Sequence, residues 1–272
     1  MATDGLTLLV WPVIVVLVGV AVVVANQPPS TKDLSTHSHR QLIGYAGLVL
    51  PLALPLIAQL RRTRRLDLAA LDSVSSFYYT GAVAFFTGTL LALAAFLFTY
   101  RGYRNRYNLY DRIAGFVAAA AAIGVAVFPT QAPSASLNPS WWVPMTGTIH
   151  YGSAIVLFLT FACFALFLFP RTDPDGPKPS KAHPLPPAKR WRNRVYILCG
   201  VVMVACLIWA AIAKNNRWPI YWPETIALIA FALSWLVKGR FEWTLVSAGK
   251  SAWRYARHPR EAVNRIRTFK PG

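Results

Sequence analysis

Charged residues are scarce in this chain: Asp, Glu, Lys and Arg make up 14% of 272 residues, while hydrophobic residues make up 55%. A soluble domain carries about 25% charged residues, so the balance argues against a water-exposed globule and for a bilayer. Cysteine is also rare. Cys163, Cys199 and Cys206 all lie inside apolar stretches, where a thiol behaves as a small hydrophobe. With no CxxC spacing, both a disulfide framework and a cysteine metal site are excluded. The phosphate-cradling GxxxxGK[ST], the zinc-protease HExxH and the nucleophile-elbow GxSxG patterns are missing too, which removes the sharpest enzyme signatures.

What the chain does have is apolar blocks of membrane-spanning length. A hydrocarbon core of about 30 Å needs about 20 apolar residues per helix. Blocks of roughly that size run over about 6–26, 41–60, 77–100, 112–128, 147–169, 195–213 and 221–238. This predicts an all-α, polytopic transmembrane bundle of seven helices over residues 1–240, or six if the first block does not span. The first block lacks a positively charged n-region, carries Asp4 instead, and leads into Asn26-Gln27-Pro28-Pro29. It is read as a retained helix rather than a cleaved leader.

Basic residues dominate the connections. The net charge is +18, yet the cations sit between apolar blocks rather than along one polar face, which speaks against a nucleic-acid partner. The side holding loops 27–40, 101–112, 170–194 and the tail from Lys238 carries 22 of the 28 Lys and Arg, and the other side carries 6. By the positive-inside bias the first side is cytoplasmic, which leaves the N-terminus outside. The Arg61-Arg62-Thr63-Arg64-Arg65 run falls on the outer side, against the trend. The loop from Arg171 to Arg194 carries six prolines, including Pro184, Pro186 and Pro187. It reads as an extended linker. Lys238 and Arg240 read as snorkelling anchors. Residues 241–272 form a basic tail in which Trp243, Trp253, Tyr255 and Phe269 alternate with arginines. That pattern suits a cytoplasmic or interfacial segment facing anionic headgroups.

Polar residues at helix ends mark where chemistry can occur, because lipid tolerates them nowhere else without a partner. Ser75, Ser76, Tyr78 and Tyr79 open the third block, and Phe128-Pro129-Thr130 closes the fourth. His150 and Tyr151 open the fifth, and Trp222-Pro223-Glu224 opens the seventh. All fall on the outer side. His150 and Glu224 are the catalytic or ligand candidates, and Ser76, Tyr78, Tyr79, Thr130 and Tyr151 are the ligand-contact candidates. Each has a plainer explanation as well. Glu224 after Pro223 suits a helix first turn, and tyrosines populate interfacial belts. On the inner side, Asp111 opens the fourth helix beside arginines, and His37-Ser38-His39 lies in a loop across the membrane from His150. No metal site is predicted, and no cofactor is named by any motif.

In order along the chain, Ser76-Phe77-Tyr78-Tyr79-Thr80, Phe98-Thr99-Tyr100-Arg101-Gly102-Tyr103, Asp111 through Phe128-Pro129-Thr130, His150, Glu224 through Phe231, Ser234-Trp235 and Lys238-Gly239 resemble a family of uncharacterised bacterial multi-pass membrane proteins. That family has a Ser-x-Tyr-Tyr-x-Thr motif. The resemblance covers about residues 75–240 and implies a fold of six or so helices in a bacterial inner membrane, with no activity to carry over. Family members commonly place an arginine soon after the motif, where this chain has Gly81-Ala82-Val83-Ala84. Three functional readings stand on these residues. The chain is a module that binds, senses or moves a lipid or other hydrophobic ligand; a membrane hydrolase or transferase using His150 and Glu224; or an accessory subunit of a homo- or hetero-oligomer packed through the small-residue stretch at Ala118–Ala122.

Overall fold

The computed structural model describes residues 32–60, 72–100, 108–133, 137–171 and 185–241. The chain divides into two compact units, residues 36–239 and a second made of 1–35 with 240–272. Nearly all of the second unit, including the predicted helix at 6–26 and the tail from 242, lies outside the described residues. So do the Arg61–Arg65 run and most of the proline-rich loop.

The described residues are all-α, with no strand among them. Six α-helices appear, here labelled α1 Lys32–Leu60, α2 Val83–Thr99, α3 Asn108–Val127, α4 Pro144–Cys163, α5 Pro187–Asn215 and α6 Tyr221–Lys238. A 3-10 turn, Val74–Tyr79, precedes α2, and a π-helical stretch, Phe164–Leu168, continues α4. Among the described residues four segments are long and apolar enough to cross a membrane: His37–Leu60, Leu109–Val127, Pro144–Leu168 and Pro187–Asn215. Helix α2 is apolar but has 17 residues, about 25 Å at the helical rise. Helix α6 carries Tyr221, Trp222, Glu224 and Lys238 at its ends, which dilutes an otherwise apolar centre.

Several predicted boundaries move, each for a local reason. The block expected to start a helix at 77 begins instead as the 3-10 turn. Ser73, in extended conformation, caps that turn by accepting the Ser76 N–H at 3.0 Å. The proline-rich loop ends earlier than expected because Pro187 occupies the first position of α5, where its missing N–H costs nothing. His37, Ser38 and His39 lie in helix α1 rather than in a loop. Neighbours two apart project to different sides of a helix, so the pair does not form a chelating site.

In lipid the hydrophobic effect does not drive helix against helix; close packing and internal hydrogen bonds do. Helices α1 and α6 show both. Pro55 has no N–H, so the Pro51 carbonyl four residues earlier loses its helical partner. The Tyr221 hydroxyl donates to it at 3.3 Å. At the opposite ends, Gln41 Nε2 donates to the Gly239 carbonyl at 2.8 Å. Between these ties, a Cβ on Gly47 would lie 2.6 Å from the Phe231 ring, so only glycine admits that ring. The ring also stacks on Phe161 of α4 at 3.7 Å between centroids. Trp235, fully buried, collects edge contacts from Tyr100, Phe164 and Phe169 at 4.9 to 5.2 Å. Each such pair contributes about 0.5–1.5 kcal/mol beyond burial, so this aromatic box is a principal fastening of the half of the bundle near Gly239.

The end of the bundle where α6 finishes holds buried charge. Past the π-helical stretch that continues α4, the carbonyls of Phe169, Pro170 and Arg171 take donors from α5 and α6. Phe169 accepts from Lys238 Nζ at 3.2 Å and from Lys189 Nζ at 3.4 Å. Lys189 also reaches the Arg171 carbonyl at 3.2 Å, and Asn193 Nδ2 reaches Pro170 at 3.3 Å. Lysines at a helix C-terminus satisfy its orphan carbonyls and complement its dipole. Lys238 is therefore not the snorkelling anchor expected from its position; it is 8% exposed and turned inward. Asp111 is buried as well, and Lys238, Arg40 and Arg171 act on it electrostatically.

Candidate functional site

The 3-10 turn is where the N-terminal ends of α4 and α6 meet. It is short, so its own hydrogen bonds are few, and its polar groups are satisfied by distant parts of the chain. Glu224 Oε2, in the first turn of α6, accepts the Val74 N–H at 2.6 Å, and the Ser75 N–H also points to this carboxylate. Beside it, Ile220 N donates to the Asp72 carbonyl at 2.6 Å. The acid thus accepts hydrogen bonds from a turn on another segment, in addition to starting its own helix.

On the other side stands His150, 2% exposed. Its Nδ1 lies 2.7 Å from the Phe128 carbonyl and its Nε2 lies 2.9 Å from Ser75 Oγ. A carbonyl can only accept, so Nδ1 carries the proton; in the neutral ring Nε2 is then left to accept from the Ser75 hydroxyl. Phe128 follows the last residue of α3, where carbonyls have lost their helical partners. His150 closes one of them. His150 and Glu224, predicted to share a site, do converge, each gripping the same turn from a different helix.

The ligand-contact candidates divide. Tyr79 and Tyr151 both reach Thr130: the Tyr79 hydroxyl donates to the Thr130 carbonyl, and Thr130 Oγ1 donates to the Tyr151 hydroxyl at 2.8 Å. Burial, followed by the neighbouring Tyr78 and Tyr151, pushes the Tyr79 phenol up to about 12. Tyr78 packs edge-on to Tyr79 at 5.3 Å. Ser76 is spent inside the turn, with its hydroxyl 2.9 Å from that of Ser73. Asn138 completes the knot by accepting the Ala132 N–H at 3.0 Å.

A cavity of about 130 Å³ opens between α4, α5 and α6. Ala154, Ile155, Phe158, Leu207, Ala210 and Ala227 give it apolar walls, and Tyr151, Lys214 and Glu224 give it a polar rim. The Lys214 ammonium sits 2.9 Å from the centre of the Tyr151 ring, a close cation–π contact. Two of the residues picked out from sequence, Tyr151 and Glu224, border this cavity; His150 does not. Among the described residues no group of three or more His, Cys, Asp or Glu is placed to hold a metal ion.

No family model, curated protein or solved structure matches this chain. Its own geometry therefore carries the argument. Reading the sequence missed two members of the site. Ser75 was visible as a hydroxyl beside Ser76, but its partner His150 is 75 residues away. Lys214 carried a signal that was available: it is the one basic residue in the last turn of α5, after a long apolar stretch, and the charge count puts it on the same side as Glu224.

Proposed function

We propose that this chain is an integral membrane protein that binds a lipid or other hydrophobic ligand in the cavity between α4, α5 and α6. The observation that carries this reading is the arrangement of that cavity, with apolar walls along three helices and Tyr151, Lys214 and Glu224 at one end. Such a pocket suits an amphiphile: the walls take the chain and the few convergent polar groups orient the head. The excess of Lys and Arg on one side supports an orientation with the Lys214 end outside and residues 241–272 in the cytoplasm. Seven spans, the bacterial inner membrane and membership of the Ser-x-Tyr-Tyr-x-Thr family belong to the same proposal. They rest on the apolar blocks and on the quoted motifs, in which Ser76, Tyr78 and Tyr79 fit the family pattern and Thr80 stands one place early.

Native mass spectrometry of the full chain released from a mild detergent tests it. A defined lipid adduct is expected, and Ala210→Trp, which fills the cavity, should remove it. A bare chain, or an adduct indifferent to that substitution, would refute the reading; a co-purifying polypeptide in its place would favour the accessory subunit.

The contact between Ser75 Oγ and His150 Nε2 favours a second reading, a hydrolase or transferase with the hydroxyl as nucleophile and the imidazole as base. In that case a fluorophosphonate probe would label the wild type at Ser75, and His150→Gln would lose the label. An unlabelled wild type leaves the contact as a fastening of the turn.

A further inference from the structure

Resting on the ligand-binding reading above, we infer that the cavity selects a single-chain amphiphile with an anionic head, carboxylate or phosphate, and that Lys214 is the residue that selects it. The argument concerns which of the rim groups remains available to a ligand. Glu224 is committed: its carboxylate takes the Val74 N–H at 2.6 Å and faces the Ser75 N–H, so it holds the turn. The Tyr151 hydroxyl is committed to Thr130 at 2.8 Å. Lys214 differs from both. Its ammonium rests on the face of the Tyr151 ring and makes no hydrogen bond to a described residue.

An ammonium has three N–H donors. The ring steadies the charge from one side without using an oxygen acceptor, which leaves donors for an incoming group. Lys214 is also the one cation among the residues lining the cavity. Glu224 acts on it electrostatically, which tempers its charge. That influence does not replace a hydrogen-bonding anion.

The walls define the rest of the ligand. Ala154, Ala210, Ala211 and Ala227 are small and Ile155, Phe158 and Leu207 are bulky, so the space is a narrow slot. A volume of about 130 Å³ corresponds to roughly four waters at their liquid volume. It holds the head-proximal part of one chain, while the remainder continues along the lipid-facing side of α5, where Ile208 and Ile212 are exposed.

The test is competitive binding to the full-length protein in a non-ionic detergent, read by native mass spectrometry. Hexadecanoate, a hexadecanoyl lysophosphatidate, hexadecanol and hexadecyltrimethylammonium are offered at equal concentration. A hydrogen bond to a charged group contributes about 1.5–3 kcal/mol, so at least one anionic probe should bind about tenfold or more tightly than the alcohol. Whether the carboxylate or the phosphate binds tighter identifies the source of the anion. In Lys214→Gln, an exposed position, the preference should fall below about twofold while the alcohol binds as before.

Equal binding of all four probes, tighter binding of the cationic probe, or an anion preference that survives Lys214→Gln would overturn the assignment of Lys214 and leave the cavity as a hydrophobic site. Failure of every probe, with a wild-type thermal transition showing the protein intact, would overturn the ligand-binding reading itself. Ala210→Trp separates cavity binding from adsorption to the outer surface: if it leaves the anionic adducts unchanged, both the cavity and its head-group residue are wrong.

Discussion

Replacing His150 with phenylalanine tests the outer assembly most directly. Phenylalanine keeps the ring's bulk, so any cavity effect is small, yet it removes both hydrogen-bonding nitrogens. The Phe128 carbonyl at 2.7 Å and the Ser75 hydroxyl at 2.9 Å would each lose a partner. A buried polar group left unsatisfied costs about 1–3 kcal/mol. The hydroxyl can rotate to another acceptor, whereas the carbonyl cannot, so His150→Phe should destabilise by about 2–4 kcal/mol. Ser75→Ala alone removes one of the two bonds and should cost about 1–2 kcal/mol. The double variant should be more stable than the sum of the two losses by about 1 kcal/mol, because the shared bond can be lost only once. Reversible unfolding in mixed micelles, followed by tryptophan fluorescence, provides the four free energies. Strict additivity, or a His150→Phe protein within about 0.5 kcal/mol of wild type, would refute the idea that this imidazole joins α3, α4 and the turn.

Two further perturbations probe other parts of the fold. In an ultraviolet titration Tyr79, on the turn before α2, should ionise near about 12, above the usual phenol near 10; Tyr79→Phe should remove that late step. Because the folded value is raised, the unfolded chain loses its proton first. Its contribution to stability is complete below about pH 10 and is lost as pH rises toward about 12; if Tyr79→Phe instead removes a step near 10, the buried, phenol-lined setting is contradicted. Gly47→Ala places a methyl 2.6 Å from the Phe231 ring. It should lower stability by about 1–3 kcal/mol, while Gly88→Ala, at a position with open space around it, should leave the unfolding midpoint unchanged or slightly raised.

The helices were legible because apolar blocks of spanning length leave few alternatives, and six of the seven predicted segments fall on described α-helices. The edges were less legible, for reasons that are local and physical. A proline at 187 looks like a breaker until one knows that it stands at the first position of a helix. A serine at 73 looks like loop until its side chain is seen capping a 3-10 turn. The outer polar cluster was legible as a set of residues on one side, but not as a wiring diagram. Nothing in the string of letters says that Glu224 will bond the backbone of Val74, or that a histidine will serve a carbonyl at the end of another helix. Lys238 shows the opposite error. Its place at a helix end suggested water or headgroups, and the orphan carbonyl of Phe169 drew it inside.

That inward lysine has a bearing on how the orientation of the chain can be manipulated. Lys189 and Lys238 both enter the charge count that assigns the inner side, yet both are bonded to the Phe169 carbonyl. They act as fasteners as well as topological signals. Moving or neutralising them to invert the protein would loosen the end of α4 before any inversion could be scored. Arg190 and Arg194, on the same helix and exposed to solvent, carry the same sign without that structural duty. Only through such residues can insertion preference be varied separately from the stability of what is inserted.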